Sequence, residues 1–271
     1  WFQTFHIILR RWTPENSKFL EKMKTLMIIT PHMSTGGLPQ VVVKRVELLR
    51  DFYEIVVVEY TQLSWHYLVQ RNQVIDMIGK NFITLSENKE YDLFNAISDY
   101  SPDYIFMEEI PETFMEMHIV KRLYNSDRTY KIFECTHSSY SQKEWKKYFP
   151  DKFIFVSPYS CLTFADLGIP MELIEYPIDF RKPDKSIAIE KLGLEDDYIH
   201  VLNIGLFTSG KNQGYAFEIA RFFKKHKIKF HFVGNQAINF IEYWKPIMET
   251  KPDNCVVWGE RDDINLFLQA C

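Results

Sequence analysis

The stretch that decides the fold is residues 200–214, HVLNIGLFTSGKNQG. It predicts a short apolar strand, a loop with Gly205 and Gly210 at its ends, and an amphipathic helix that opens at Lys211 and Asn212. Such a turn gathers free backbone N–H groups, a helix N-terminus and an ammonium group around one point. The stretch therefore predicts a phosphate-binding site.

Three interpretations of this loop are open. Residues 205–211 match the GxxxxGK half of a P-loop, but Asn212 stands where that motif has a Ser or Thr hydroxyl for Mg²⁺. A loop that holds the diphosphate of a nucleotide sugar also has a strand ending in Gly, then Lys, then a helix. The third interpretation is an ordinary strand-to-helix turn with a solvated lysine.

Length and composition limit the class of protein. With 271 residues, the chain exceeds one typical domain, and two α/β domains are expected. A hydrophobic content of 46% and an aromatic content of 16% provide large cores and exclude global disorder. The net charge is −4, and no basic stripe is present that would neutralise a nucleic-acid backbone. We therefore expect no nucleic-acid partner.

The cysteines and the hydropathy pattern indicate the cellular compartment of the protein. The four cysteines are scattered, with no CxxC pair and no zinc-ligand spacing, which is typical of a reduced cytoplasmic protein. No apolar run approaches the roughly 20 residues that cross a bilayer, and no signal peptide is visible. The chain begins with Trp1 and ends at Cys271 within a helical pattern, so we expect a fragment of a longer protein.

The leading segment, residues 1–23, has apolar residues at helical spacing. It predicts a helix packed against the first domain. The alternative is an amphipathic helix that makes peripheral contact with the inner face of the membrane, with Arg10, Arg11 and Lys18 near lipid.

Strand and helix patterns alternate along the rest of the chain, which predicts an α/β fold with parallel, doubly wound sheets. Residues 24–180 form a first lobe with strands predicted at 25–30, 54–60, 104–107, 131–135, 153–156 and 173–176. The polar segment 181–197 is typical of a linker between lobes. Residues 198–271 supply three more strands, so we predict two Rossmann-like lobes of which the second is truncated.

Six motifs follow one another along residues 24–271. They are Gly36-Gly37; CTHSS at 135–139; FVSPYSCLTFADLGIP and then ELIEYPIDF within 153–180; NIGLFTSGKNQGYAFEIA at 203–220; HFVG at 231–234; and WGERDDINLFLQAC at 258–271. In this order and spacing they resemble the retaining GT-B glycosyltransferases of family four.

The resemblance implies a cleft between two lobes, in which the second lobe mainly holds a UDP or GDP sugar. Lys211 would neutralise the diphosphate as charge develops on the leaving group, and the Gly36-Gly37 turn would donate N–H groups to it. His137 would lie near the sugar hydroxyls and the reacting carbon. The resemblance implies no metal and no cofactor besides the nucleotide-sugar co-substrate. The further donor-binding residues that it implies are Gly205, Thr208, Asn212, Gly234, Gly259 and Arg261.

Purely structural interpretations of the same residues are also open. His137 follows a buried strand and would serve there only as a hydrogen-bonded structural residue. Arg261 would serve as an exposed residue at the start of a helix. Cys135 and His137 do not form a metal pair, because no further ligands cluster with them in the sequence.

The sequence departs from the family pattern at three places. Leu206 stands where the family has an arginine, so one diphosphate cation is missing unless Arg181 or Lys182 replaces it. Tyr176-Pro177 stands where the family has an asparagine-glycine turn. The acidic pair that touches the donor sugar and ribose would lie downstream of Cys271.

The function expected from these observations is sugar transfer from a nucleotide-diphosphate sugar, with retention of configuration and without a metal ion. A saccharide or lipid-linked acceptor would contact the first lobe, at loops 31–34, 62–67 and 108–112. The alternatives are a P-loop-type nucleotide-binding enzyme and a catalytically inactive scaffold, which Leu206 favours.

Overall fold

The structure is a computed structural model that describes residues 23–34, 36–63, 68–138, 141–177 and 184–271. The strands are β1 (Thr25–Thr30), β2 (Glu54–Glu59), β3 (Phe82–Thr84), β4 (Tyr104–Met107), β5 (Lys131–Glu134), β6 (Lys152–Phe155), β7 (Met171–Leu173), β8 (Ile199–Ile204), β9 (Ile228–Val233) and β10 (Cys255–Gly259). The α-helices are α1 (Gly37–Leu49), α2 (Val69–Ile78), α3 (Lys89–Tyr100), α4 (Met117–Leu123), α5 (Pro158–Phe164), α6 (Lys185–Leu192), α7 (Gln213–Phe222), α8 (Ile241–Glu249) and α9 (Ile264–Ala270).

The first sheet has seven parallel strands in the order β3-β2-β1-β4-β5-β6-β7. Its interior strand β1, TLMIIT, is buried along its whole length, because helices cover both faces of the sheet. Ile28 of β1 pairs with Val57 on one side and with Phe106 on the other. One apolar cluster around Met27 and Ile105 and a second around Ile28 and Val42 fill the two faces.

The strand order places a crevice in this sheet. The chain passes from β1 through α1 to β2 on one side, whereas β4 adds to the other side of β1. Connections leave the carboxyl ends of β1 and β4 in opposite directions, and ligands of open α/β sheets bind at such a switch point. The loops that follow β1 and β4 therefore lie at the expected binding edge.

The second sheet has three parallel strands among the described residues, in the order β10-β9-β8. A cluster of Ala188, Leu192, Phe267 and Ala270 joins α6 to α9 on this sheet. A second cluster contains Phe207, Phe217 and Phe232, together with parts of α7 and α8. Helices thus contribute to both apolar clusters of this sheet. The prediction of a layered α/β architecture with two parallel sheets is confirmed.

Several element boundaries differ from those predicted. Helix α2 and strand β3 were missed, because α2, VQRNQVIDMI, buries only Val74 and lacks a clear apolar face. Helix α7, predicted to open at Lys211 and Asn212, begins at Gln213 and ends at Phe222, where the following residues form a turn. Part of the predicted linker is helix α6, which packs against α9, and the predicted lobe boundaries stay a prediction. The predicted leading helix lies outside the described residues, except for Met23.

Candidate functional site

His137 lies in the loop that follows β5, and both of its ring nitrogens are engaged. Nε2 is 3.0 Å from Oε2 of Glu108, and Nδ1 is 2.7 Å from the hydroxyl oxygen of Tyr176. The Tyr176 ring also stacks on the imidazole, with 4° between the planes. The backbone N–H of His137 donates to Glu109 over 3.1 Å. The position and orientation of this imidazole are therefore fixed from three sides.

Glu108 follows β4 directly and is completely buried. Burial by itself would raise the pKa of this carboxyl, but the Arg45 guanidinium and the His137 imidazole outweigh it, and the pKa is lowered. Arg45, which projects from α1, donates to the two carboxylate oxygens over 2.5 and 3.3 Å. It also lies 3.9 Å from the centre of the Phe106 ring. Glu108 is thus an ionised carboxylate that links α1 to His137.

Tyr176 retains its proton. Burial raises its pKa to about 12, and the neighbouring Cys135, Glu108 and Glu109 add to this effect. The Tyr176 hydroxyl faces Nδ1 of His137, and the ionised Glu108 faces Nε2. These two hydrogen bonds fix the orientation of the ring. The tyrosine that departs from the family pattern therefore orients the predicted catalytic histidine.

The glycine turn lies between β1 and α1. Gly36 has a φ of 137°, which favours glycine, and a Cβ atom on Gly37 would meet nothing within 4 Å. The preceding loop is held by Glu59, whose Oε1 accepts the Met33 N–H over 2.8 Å. The turn is thus an open backbone corner at the end of β1. Its role toward a diphosphate stays a prediction.

Three of the predicted glycines meet at the ends of three neighbouring strands in the second sheet. Gly205 N–H donates to Val233 over 2.9 Å, and Gly234 N–H donates to Gly259 over 2.8 Å. A Cβ atom on Gly234 would lie 2.0 Å from the carbonyl oxygen of Gly205, so this position excludes any side chain. The loop after β8 therefore rests directly on the backbone of the loop after β9.

Lys211 covers this glycine corner. Its Cγ lies 3.4 Å from the point where a Cβ of Gly205 would stand, and its side chain is exposed. Among the residues that the structure describes, no hydrogen-bond or ion-pair partner contacts its amine. The lysine thus presents an unneutralised ammonium group beside open backbone.

The residues next to Lys211 shape the start of α7. Thr208 accepts the N–H groups of Lys211 and Asn212 through its carbonyl oxygen, over 3.0 and 3.1 Å. Asn212 has a left-handed backbone with a φ of 53°, and its side chain does not cap the helix. The buried Gln213 donates to the Leu206 carbonyl over 3.0 Å and ties the loop to the helix. The N–H of Gly214, in the first turn of α7, instead donates to the Tyr243 hydroxyl over 3.1 Å.

Two further polar groups border the corner. Asn235 is only 3% exposed, and its Oδ1 atom has no hydrogen-bond partner. Arg261, for which a contact with the nucleotide base stays a prediction, holds Asp263 through two hydrogen bonds of 2.9 and 2.6 Å. Its guanidinium also lies 5.7 Å from the centre of the Trp258 ring. Arg261 is therefore neutralised within its own loop.

The predicted site residues fall into two groups. Gly36, Gly37 and His137 belong to the first sheet; Gly205, Thr208, Lys211, Asn212, Gly234, Gly259 and Arg261 belong to the second. Arg181 and Lys182, named as replacements for the missing arginine, lie outside the described residues, as does part of loop 62–67. Within the described ranges no group of three or more His, Cys, Asp or Glu residues could hold a metal ion.

Sequence reasoning missed three contributors to these groups. Glu108 was included only as part of a polar loop, and its position immediately after a buried strand is the signal that could have identified it. The sequence pattern gives Arg45 no role, although its guanidinium reaches the buried Glu108. Asn235 also carries no signal in the sequence, and only its burial without a hydrogen-bond partner for Oδ1 distinguishes it.

Comparison with known proteins identifies the fold. No sequence-family model and no curated protein sequence matches the chain. The chain is similar to Anabaena HepE in complex with UDP and glucose, at 13% identity and a TM-score of 0.69, over 91% of this chain and 72% of HepE. It is also similar to a glycosyltransferase from Rickettsia africae, at 15% identity and a TM-score of 0.62, over 92% of this chain and 71% of that one.

A third similar structure is S. aureus MnaA with UDP, at 12% identity and a TM-score of 0.55, over 90% of this chain and 71% of MnaA. These similarities show that the chain has the GT-B glycosyltransferase fold. None of the helices in the described ranges has the length and apolarity to span a membrane.

Proposed function

We propose that this chain takes part in transferring a sugar from a nucleotide-diphosphate sugar to a saccharide or lipid-linked acceptor. The transfer retains the configuration of the donor sugar and requires no metal ion. A GT-B fold carries other activities as well, so the proposal depends on the site rather than on the fold.

The observation that carries the proposal is the position of Lys211. Its exposed amine, without a described ion-pair partner, stands over the Gly205 corner and close to the start of α7. A diphosphate placed there gains an ammonium group and the positive end of a helix dipole. These groups stabilise the charge that develops on a departing nucleoside diphosphate, which is the role that Mg²⁺ fills elsewhere.

The group around His137 supports the sugar-binding part of the proposal. Glu108, Arg45 and Tyr176 hold the His137 imidazole at the carboxyl edge of the first sheet. A positioned imidazole and its neighbouring carboxylates suit the recognition of sugar hydroxyls, which need both donors and acceptors. Solved proteins of the same fold are described with UDP-glucose or with UDP and glucose, and this agrees with a sugar-nucleotide ligand.

The experiment that tests the proposal is a calorimetric titration of the chain with UDP, GDP and their sugars. Each titration is repeated without Mg²⁺ and on Lys211→Ala. We expect nucleotide binding that is unchanged by removal of Mg²⁺ and at least about tenfold weaker in the variant, because a charged hydrogen bond contributes about 1.5–3 kcal/mol. Lys245→Ala, an exposed lysine on α8, is the matched control and should bind normally.

Each alternative function predicts a different outcome. Strict dependence on Mg²⁺ would favour a P-loop-type enzyme. The absence of binding to any of the nucleotides or sugar nucleotides would favour an inactive scaffold. Retention is tested separately, by determining the anomeric configuration of the product by NMR spectroscopy.

The proposal includes a cytoplasmic location with peripheral contact at the inner membrane face. All four cysteines are free in the structure, which agrees with a reducing compartment. Fractionation of cells at low and high salt tests this, since a peripheral electrostatic contact releases the protein as the salt concentration rises.

A further inference from the structure

A basic pocket lies at the end of the second sheet opposite the Lys211 loop. It has a volume of about 500 Å³, and its lining residues are Arg221, Lys224, Lys225, Lys251, Pro252, Asp253 and Asn254. These residues come from the last turn of α7 and the segment after it, and from the connection between α8 and β10. Strands β8 and β9 separate the pocket from the glycine corner, which lies at their carboxyl ends.

The charge of the pocket contrasts with that of the whole chain. Four cationic side chains and one carboxylate line it, whereas the chain carries a net charge of −4. Hydrogen bonds to backbone carbonyls fix two of the cations: Arg221 donates to Thr250 over 2.6 Å, and Lys251 donates to Cys255 over 2.7 Å. These two side chains line the pocket; Arg221 bonds the carboxyl end of α8, and Lys251 bonds the start of β10.

The other two cations are available to a ligand. Lys224 and Lys225 are exposed, and no partner for either amine occurs among the described residues. Four like charges around one concave surface repel each other, and a bound anion would relieve this repulsion. The arrangement therefore favours an anionic occupant.

A buried amide fixes one wall of the pocket. Asn254 is only 8% exposed, and its Nδ2 donates to the Ala220 carbonyl over 2.8 Å. This hydrogen bond holds the segment that carries Lys251 and Asn254 against the end of α7. A phosphate ester provides negative oxygens for the lysines of such a pocket.

We propose that this pocket binds the phosphate group of a phosphorylated ligand, at a site separate from the nucleotide-sugar loop. Such a group occurs both in soluble phosphate esters and in phospholipid headgroups. Phe222, which follows Arg221 in α7, is 86% exposed, and a lipid surface would bury this apolar ring as well as the headgroup.

The test measures phosphate binding by amide chemical shifts of the ¹⁵N-labelled chain, in a Lys211→Ala background that removes the other phosphate-binding amine. Inorganic phosphate and glycerol phosphate are titrated as soluble probes. We expect shifts of the amides of Lys225, Asp253 and Asn254 that saturate, and at least about tenfold weaker binding in the Lys224→Gln/Lys225→Gln variant. Lys185→Gln/Lys245→Gln removes two exposed lysines outside the pocket and should bind as before.

A second arm identifies the source of the phosphate. The same variants are sedimented with vesicles of phosphatidylcholine containing phosphatidic acid. Vesicle binding that falls with Phe222→Ser, while glycerol phosphate binding stays unchanged, assigns the site to a lipid headgroup. Binding of soluble phosphate without vesicle binding assigns it to a soluble ester. If neither probe binds, or if both bind equally well to the Lys224→Gln/Lys225→Gln variant, the proposal is wrong.

Discussion

The carbonyl oxygen of Gly205 occupies the space that a side chain on Gly234 would need. A Cβ atom added to Gly234 would lie 2.0 Å from that oxygen and 2.6 Å from the carbonyl carbon. Gly234 also has a φ of 155°, which side chains disfavour. Because both obstacles are backbone, no side-chain rotation can relieve them. The loop that carries Lys211 can therefore take its position only because Gly234, at the end of the neighbouring strand, has no side chain.

Gly234→Ala should destabilise the chain strongly. The strand ends must separate to admit the methyl group, and the backbone must also adopt an unfavourable conformation. We expect a loss of at least about 3 kcal/mol in the free energy of unfolding, measured by urea denaturation. Gly210→Ala is the control from the adjoining loop, because its Cβ would meet only Thr208 Oγ1 at 3.9 Å. Equal denaturation midpoints for the two variants would contradict the prediction.

Tyr176→Phe should loosen the orientation of His137. The variant keeps the stacked ring but removes the hydroxyl that faces Nδ1, and the His137 side chain is only 8% exposed. We expect a loss of about 1–2 kcal/mol in unfolding free energy and a change in the ¹⁵N shift of Nδ1, measured by NMR spectroscopy. Tyr91→Phe, at a position that is 62% exposed, is the control. An unchanged Nδ1 shift would show that the hydroxyl does not hold the imidazole.

Lys146→Met should also be strongly destabilising. The Lys146 amine is completely buried and lies 2.8 Å from a carboxylate oxygen of Glu112 and 2.8 Å from one of Glu134. Removing it leaves two buried carboxyl groups without a counter-charge, which costs about 3–5 kcal/mol. Thermal and urea denaturation measure the loss. The exposed neighbour Lys147→Met should change stability by less than about 0.5 kcal/mol, and a comparable loss there would refute the assignment to the buried charges.

The pH dependence of stability should reveal a chain of hydrogen bonds in the second sheet. Trp258 Nε1 donates to His231 Nδ1 over 3.0 Å, His231 Nε2 lies 2.8 Å from His200 Nδ1, and His200 Nε2 lies 2.9 Å from the Glu195 carbonyl. One directional arrangement of protons satisfies all these atoms: His231 accepts from Trp258 and donates to His200, and His200 donates to the Glu195 carbonyl. Burial, with added repulsion from His200 and Lys229, lowers the pKa of His231 to about 4.

A lowered pKa in the folded state means that the unfolded chain binds this proton first. The contribution of His231 is therefore present above its ordinary pKa of about 6.5 and is lost as the pH falls toward 4. We expect the difference in unfolding free energy between the original chain and His231→Phe to shrink by roughly 1–3 kcal/mol from pH 7 to pH 4, measured by urea denaturation at each pH.

Comparing the original chain with His231→Phe separates the effect of His231 on stability from that of Glu134, which depends on pH in the opposite direction. Burial raises the pKa of Glu134 to about 7, against the partial compensation of Lys146. This carboxyl is more readily protonated in the folded state, so its contribution is present at low pH and is lost as the pH rises toward 7. Glu134 is present in both chains and cancels in the difference. A difference that stays constant between pH 7 and pH 4 would exclude a neutral His231 as its source.

The alternation of apolar strands with amphipathic helices was sufficient to predict the layered fold. The β1 and β4 sequences, TLMIIT and YIFM, are continuous apolar runs because each strand is covered on both faces, and their bounds matched the structure. Helix α2 escaped prediction because its sequence has no periodic apolar face. The spacing of apolar residues therefore identifies a helix or strand only where burial requires apolar residues at regular positions.

The sequence by itself determined that two parallel α/β sheets form and that glycines and Lys211 cluster in one loop, since both follow from residues close together in the chain. Only the tertiary structure decided that Gly205 meets Gly234, that Tyr176 binds His137, and that Arg45 reaches Glu108. These partners are 29, 39 and 63 residues apart (234 − 205, 176 − 137 and 108 − 45). Their contacts depend on strand order, which places the ends of distant strands side by side, and no local periodicity records that order.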